Sequence, residues 1–156
     1  MSRTVLLMRH ADALPEGLGG DHDRPLSEWG QVDARRMAEV IRQEKLVPAR
    51  IVVSSARRTR ETVERMLEHL GSLPVVEEPR LYMASVSTVL EIINDQVQQA
   101  GPVLIVAHNP GMQSIVSSMA GVVVSFPAAS LAHVVLEDGE RPDVRAVWRT
   151  EELTIS

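Results

Sequence analysis

The chain has 156 residues, a formal charge of -5 at pH 7 and no cysteine. That length suits a single domain over residues 1–156 with one continuous core, and the acidic balance lacks the basic footprint that a general nucleic-acid binder needs. Without cysteine there is no disulfide framework, thiolate metal site or cysteine nucleophile, which excludes a cysteine phosphatase. Trp29, Tyr82, Phe126 and Trp148 are the whole aromatic complement, so the core is expected to be aliphatic and methionine-filled, with no base-stacking platform. Residues 4 to 8 are too short for a signal h-region, and no apolar run approaches the ~18 residues of a membrane span. The expectation is a cytoplasmic protein with neither nucleic-acid nor membrane partners.

Val5-Leu6-Leu7-Met8 is a short apolar run and reads as a buried strand ending on Arg9-His10. Open α/β sheets hold their ligands at the carboxyl ends of strands, so these two side chains are candidates for chemistry. Residues 11 to 27 carry glycine, proline and acidic residues without period, a long loop that starts at the same edge, as functional loops often do. Ser27 caps a helix in which Ala34, Met37, Ala38 and Ile41 follow i, i+3, i+4, i+7 spacing, running to about Lys45. Ile51-Val52-Val53, within Arg50 to Ser54, is a second buried strand, and Ser55 then caps a helix with Val63, Met66, Leu67 and Leu70 on one face, stopped by Gly71.

Pro74 to Glu77 is a short third strand. Val86, Val89, Leu90, Ile93 and Val97 form the next helical stripe, ended by Gly101-Pro102. Val103 to Ala107 is a fourth strand ending on His108, and Pro110 stands at the first helical position of a segment carrying Met112, Ile115, Val116 and Met119, closed by Gly121. Leu131 to Leu136 and Val144 to Trp148 flank Asp138-Gly139, two terminal strands with a hairpin-like connection. Strands alternating with helices, then strands alone, indicate a three-layer α/β/α domain with a mixed sheet.

The second strand leads into Arg57, Arg58 and Arg60 in the first turn of a helix. Cations are unfavourable at the positive end of a helix dipole, so their clustering makes sense mainly where an anion is held by both. Three strand ends thereby supply Arg9 with His10, Arg58, and His108, a set able to surround a tetrahedral dianion. Guanidinium forks match phosphate oxygens, and a histidine can act as a nucleophile toward phosphorus, so a covalent phosphohistidine intermediate follows. The helix beyond His108 adds its dipole, with the Asn109 amide beside it.

Arg9-His10, Arg58-x-x-x-Thr62 and His108, in this order over nearly the whole chain, resemble the signature of the histidine phosphatase superfamily, also called the phosphoglycerate mutase-like family. Within it, the Arg9-His10-Ala11-Asp12-Ala13 start, Asp23-Arg24-Pro25-Leu26, Leu81-Tyr82 and His108-Asn109-Pro110 resemble the small bacterial phosphohistidine phosphatases of the SixA type. The resemblance implies a mixed, mostly parallel six-stranded sheet with one antiparallel strand. It implies that His10 is the nucleophile that becomes phosphorylated, and that Arg9, Arg58 and His108 grip the phosphoryl oxygens. Arg58 rather than Arg57 is the matching arginine, because it lies four residues before Thr62, on the same helical face.

Two departures stand out. Ala11 follows the histidine where the superfamily commonly has glycine, and neither Glu77 nor Glu78 matches the glutamate that many monoester phosphatases use as general acid. An alkoxide leaving group gains greatly from a proton donor, whereas imidazole leaves with a conjugate-acid pKa of roughly 6.5. The segment between the second helix and the fourth strand is also too short for a substrate-enclosing cap. An open site of this kind suits a phosphohistidine presented on another protein, such as a histidine phosphotransfer domain in signal transduction. The competing readings are a small-molecule phosphomonoesterase and a phosphate-binding module without turnover. No metal or other cofactor is required, and His10-x-Asp12 lacks the second histidine cluster that a metal site would need.

Several roles stay open at this level. Arg24 either reaches the bound phosphate and partner or anchors its own loop. Asp12, Asp21 and Asp23 are proton donors or turn residues. His22, His69 and His133 are expected away from the chemistry, and Arg35, Arg36, Arg60 and Arg65 on exposed helix faces.

Overall fold

The structure, a computed structural model, describes residues 2–15 and 19–153. Its strands and helices come in the order β1 (Ser2–Arg9), α1 (Glu28–Gln43), β2 (Arg50–Val53), α2 (Arg57–Leu70), β3 (Val75–Glu77), α3 (Val86–Gln96), β4 (Val103–Ala107), α4 (Gly111–Ala120), β5 (Leu131–Glu137) and β6 (Asp143–Trp148). The six strands form one sheet in the order β3-β2-β4-β1-β5-β6. β1, β2, β3 and β4 pair in parallel, while β5 runs antiparallel to both β1 and β6, the one reversed strand in a mixed sheet.

Alternation along the central strands builds the three layers. Side chains two residues apart share a face of a strand, and Leu6 and Met8 pack with Met37 and Ile41 of α1 and Met66 of α2. Val5 and Leu7 face the other way, into a cluster with Ile92 and Ile93 of α3 and Ile115 of α4. Both faces of β1, β2 and β4 are covered, which is why these strands read as continuous apolar runs rather than alternating ones. Phe126 is the one aromatic among the largest fully buried side chains, and Met8, Met37 and Met66 are buried with it, an aliphatic and methionine-rich core.

Register decides where the chemistry can gather. Arg9 lies opposite Ala107 in the β1/β4 pair, and Val53 opposite Val106 in the β2/β4 pair. The His10 N–H donates to the Ala107 carbonyl at 3.1 Å and the Ser54 N–H to the Val106 carbonyl at 3.1 Å. Three chains therefore leave the sheet level with one another, carrying His10, His108 and the first turn of α2.

Two helix starts differ from the sequence expectation. Ser55 does not cap α2: Ala56 is the capping residue and makes no side-chain bond, while the Ser55 hydroxyl is drawn away to His22 Nε2 at 2.9 Å. Pro110 stands at the capping position of α4 rather than inside it, because the Asn109 side-chain oxygen takes the Gln113 N–H at 3.1 Å and the first helical residue is Gly111. The Asn109-Pro110 peptide is cis. Ser27 caps α1 as expected, accepting from Gly30 N at 3.0 Å. No helix among the described residues is long and apolar enough to cross a membrane.

Candidate active site

The Arg58-x-x-x-Thr62 spacing has a direct mechanical explanation. Thr62 is fully buried, and its hydroxyl donates to the Arg58 carbonyl one turn back at 2.7 Å and accepts the Ala11 N–H at 3.0 Å. One side chain thus ties the residue after His10 to the turn that carries Arg58. Ala11 is fully buried against the α1/α2 side of the core, so its methyl group is accommodated where glycine is common in the resembling family.

Arg58 is 3% exposed and its guanidinium joins the two histidines. Nε donates to His10 Nε2 at 3.3 Å and Nη2 to His108 Nδ1 at 3.3 Å. A guanidinium only donates, so both of those ring nitrogens present lone pairs. The remaining ring nitrogens carry the protons: His10 Nδ1 donates to the Ala11 carbonyl at 2.7 Å, and His108 Nε2 donates to the Ser54 hydroxyl at 2.8 Å. The two rings are therefore held in opposite tautomers, with centroids 5.3 Å apart.

Burial pushes the His10 pKa down to about 4; the Ala11 carbonyl opposes this, and Arg58, Arg9 and Arg24 add to it. Burial likewise lowers His108 to about 3, helped by the neighbouring His10 and Arg58. Both imidazoles are neutral at pH 7, and His10 Nε2 is an unprotonated nitrogen pointing at a cationic group.

Arg9 donates weakly to the Phe126 carbonyl through Nη1, at 3.4 Å, while its buried Nε has no partner among the described residues. Burial is the main influence lowering its pKa, and the charges of Asp12 and Arg58 act on it in opposite senses. The structure thus brings Arg9, His10, Arg58 and His108 together. Arg57 faces away, bonding Glu61 at 3.2 Å.

Arg24 and Asn109 are placed near the site with their groups engaged locally. Arg24 Nε donates to the Leu14 carbonyl at 2.8 Å and Nη1 to Asp21 at 3.2 Å, so it anchors its loop, and its charge still reaches His10. The Asn109 amide donates to the Phe126 carbonyl at 2.8 Å while its oxygen holds Gln113, which fastens the 126 backbone to α4. Asp12 turns from His10 toward α1, accepting from the Ser27 hydroxyl at 2.6 Å, and Asp23 lies 3.8 Å from Arg57.

Two residues that sequence reasoning did not put there, Tyr82 and His22, join the site together with Asp21, whose role the sequence left open. The Asp21 carboxylate accepts from Arg58 Nη2 at 3.2 Å, from Arg24 and from the Tyr82 hydroxyl, and its carbonyl accepts from Arg58 Nη1 at 2.8 Å. The Tyr82 hydroxyl, then Arg24 and Arg58, hold this carboxyl down at about 2. Tyr82 stands edge-on to His108 at 5.5 Å, and His22, expected away from the chemistry, stands edge-on to Tyr82 at 4.8 Å. The sequence signals this cluster through the Leu81-Tyr82 motif and through Asp21 as a possible proton donor, and does not pair the two. Glu78, by contrast, is bound by Arg80 at 2.8 Å and does not enter the site.

Residues 5–85 match the model of the histidine phosphatase superfamily (branch 1). The chain belongs to that superfamily. An uncharacterised chloroplast protein of Arabidopsis thaliana is 42% identical over 67 residues, which cover 42% of this chain and 31% of that protein, so the match spans about a third of this relative's length. Among solved structures, a candidate phosphohistidine phosphatase SixA from Agrobacterium tumefaciens is 27% identical, with a TM-score of 0.82 over 94% of this chain and 98% of its own. The protein histidine phosphatase SixA complexed with tungstate shares the fold, with a TM-score of 0.85 at 24% identity, over 97% of this chain and 99% of that one.

Proposed function

We propose that this protein removes the phosphoryl group from phosphohistidine on another protein, such as a histidine phosphotransfer domain of a cytoplasmic relay, through a phospho-His10 intermediate. The observation that carries the proposal is the unprotonated His10 Nε2 facing Arg58, with His108 on the same guanidinium. In the first step the Nε2 lone pair attacks phosphorus in line and the P–N bond of the substrate breaks. The substrate ring, protonated on its second nitrogen, takes the bonding pair and leaves as neutral imidazole. Water then attacks phospho-His10, the new P–N bond returns its pair to Nε2, and inorganic phosphate carries away the water's oxygen and protons. Arg9, Arg58 and His108 stabilise charge on the equatorial oxygens in both steps. No metal enters either step.

The choice of leaving group is supported by the state of Asp21. The carboxyl that bonds Arg58, Asp21, is ionised, held at about 2, and Glu78 is committed to Arg80. An alkoxide leaving group needs a proton delivered, while imidazole leaves as a weak base near pKa 6.5 and needs none from the enzyme. Turnover of a phosphohistidine protein should therefore exceed that of sugar and glycerate phosphates. A strong preference for the esters would overturn the phosphohistidine reading in favour of a small-molecule phosphomonoesterase.

A further inference from the structure

The turn Asp21–Asp23 lies between the first strand and α1, and it lays a carboxylate against the guanidinium at the centre of the site. Arg58 is held there by two different parts of the same residue. Its Nη1 bonds the Asp21 backbone carbonyl at 2.8 Å, a contact that any residue at this position would make. Its Nη2 is shared between the Asp21 carboxylate at 3.2 Å and His108 Nδ1 at 3.3 Å. Nε and Nη2 are the donors that face the two histidines, so they are the donors a phosphoryl oxygen would take. The side chain of Asp21 already sits on one of them, while the Asp21 carbonyl and the two histidines hold the guanidinium independently of that carboxylate.

The carboxylate is also well kept in this place. Tyr82 donates its hydroxyl to the oxygen that meets Arg58, and Arg24 bonds the other oxygen at 3.2 Å. The turn that carries it is pinned at two further points, by the Arg24 bond to the Leu14 carbonyl and by the His22 bond to Ser55. His108 and Arg58 are the other charged or titratable groups whose fields act with Asp21. A group tethered beside its partner behaves like a ligand at a concentration on the order of millimolar, so a free anion must compete against it.

We propose that the Asp21 carboxylate is an internal competitor for the phosphoryl seat on Arg58, and that it makes the site select a phosphoryl group carried on a larger partner over small free dianions. A small dianion, inorganic phosphate included, has only its own oxygens with which to displace the carboxylate and meets its negative charge. A phosphorylated protein brings contacts from the rest of its surface and overcomes the same opposition. The device also keeps the phosphate released in each turnover from remaining bound. This inference rests on the reading of Arg58 as the phosphoryl-binding donor.

The test is direct binding of tungstate to the full chain by calorimetry, together with inhibition of hydrolysis by inorganic phosphate, for wild type, Asp21→Asn, Asp21→Ser and Asp23→Asn. Both Asp21 variants keep the backbone carbonyl, and Asp21 is 38% exposed, so the fold tolerates them. Removing one unit charge at hydrogen-bond range of the seat should tighten tungstate roughly fivefold or more, with phosphate inhibition strengthening in parallel. Asp23→Asn removes the same charge from the same turn but away from Arg58, and should change affinity by less than about twofold. Unchanged or weaker tungstate binding in the Asp21 variants overturns the proposal, as does an equal gain in Asp23→Asn, which would make the effect one of overall charge. If Asp21→Asn tightens tungstate while the wild type does not hydrolyse phosphohistidine protein, the functional reading falls and the competitor stands. Intact hydrolysis with no change in anion affinity removes the competitor alone.

Discussion

His10 and His108 hold opposite tautomers because Arg58, which can only donate, meets Nε2 of one ring and Nδ1 of the other. That arrangement is checkable without any substrate. Nitrogen-15 shifts should show His10 protonated on Nδ1 and His108 on Nε2. Neither ring should titrate between about pH 5.5 and 8, since their pKa values lie near 4 and 3 against an ordinary 6.5. An imidazole at position 10 that titrates near 6.5 would contradict the buried, cation-flanked setting. Arg58→Lys tests the same geometry through activity. An ammonium cannot span two histidines and a backbone carbonyl as a planar fork does, so kcat/KM should fall by roughly 100-fold or more. A loss below about threefold would show that the fork is not the phosphoryl cradle.

Among the elements, α2 and the end of β1 form one mechanical unit through Thr62. Thr62→Val removes the acceptor of the Ala11 N–H and the donor to the Arg58 carbonyl. A buried backbone donor left without a partner costs roughly 1–3 kcal/mol. Denaturant unfolding should read that loss, and turnover should fall with it because Ala11 directly follows His10, the proposed nucleophile. Gly30 plays a comparable part at the start of α1. A Cβ there would lie 2.0 Å from the Asp12 carbonyl oxygen, so Gly30→Ala forces the loop after His10 off the helix, and both melting temperature and activity should drop. Most elements were legible from periodicity: Leu6 with Met8, and Val5 with Leu7, report two covered faces, and the α1 stripe of Ala34, Met37, Ala38 and Ile41 is buried as its spacing demands. The helix starts at Ser55 and Pro110 were misplaced because capping depends on which side chain reaches the free N–H groups. At the start of α2 the Ser54 hydroxyl takes the Ala56 N–H while the Ser55 hydroxyl goes to His22, and Asn109 serves α4.

At the scale of the molecule, the parallel register of β1, β2 and β4 carries four polar side chains to one edge from positions up to 99 residues apart in the chain. Arg9, His10, Arg58 and His108 were legible because each adjoins the end of an apolar strand, a local signal. The pairing of Asp21 with Tyr82 was not, because their bond joins residues 61 apart across two irregular segments where no period or propensity records the partner. The same burial that readies the histidines ties stability to pH. Their native pKa values are depressed, so the unfolded chain takes up protons that the native rings refuse. The stability they contribute is present above about pH 6.5 and is lost as the pH falls toward 4 for His10 and 3 for His108. Denaturant midpoints should decline across that window, and replacing both histidines by non-titrating residues should flatten the decline. The most direct test of the central claim is to mix the protein with a histidine phosphotransfer domain carrying radiolabelled phosphohistidine, quench within milliseconds to seconds, and locate the label. The account predicts an acid-labile label on His10 that appears and decays as phosphate is released, and its disappearance along with turnover in His10→Ala; hydrolysis undiminished in that variant would contradict it.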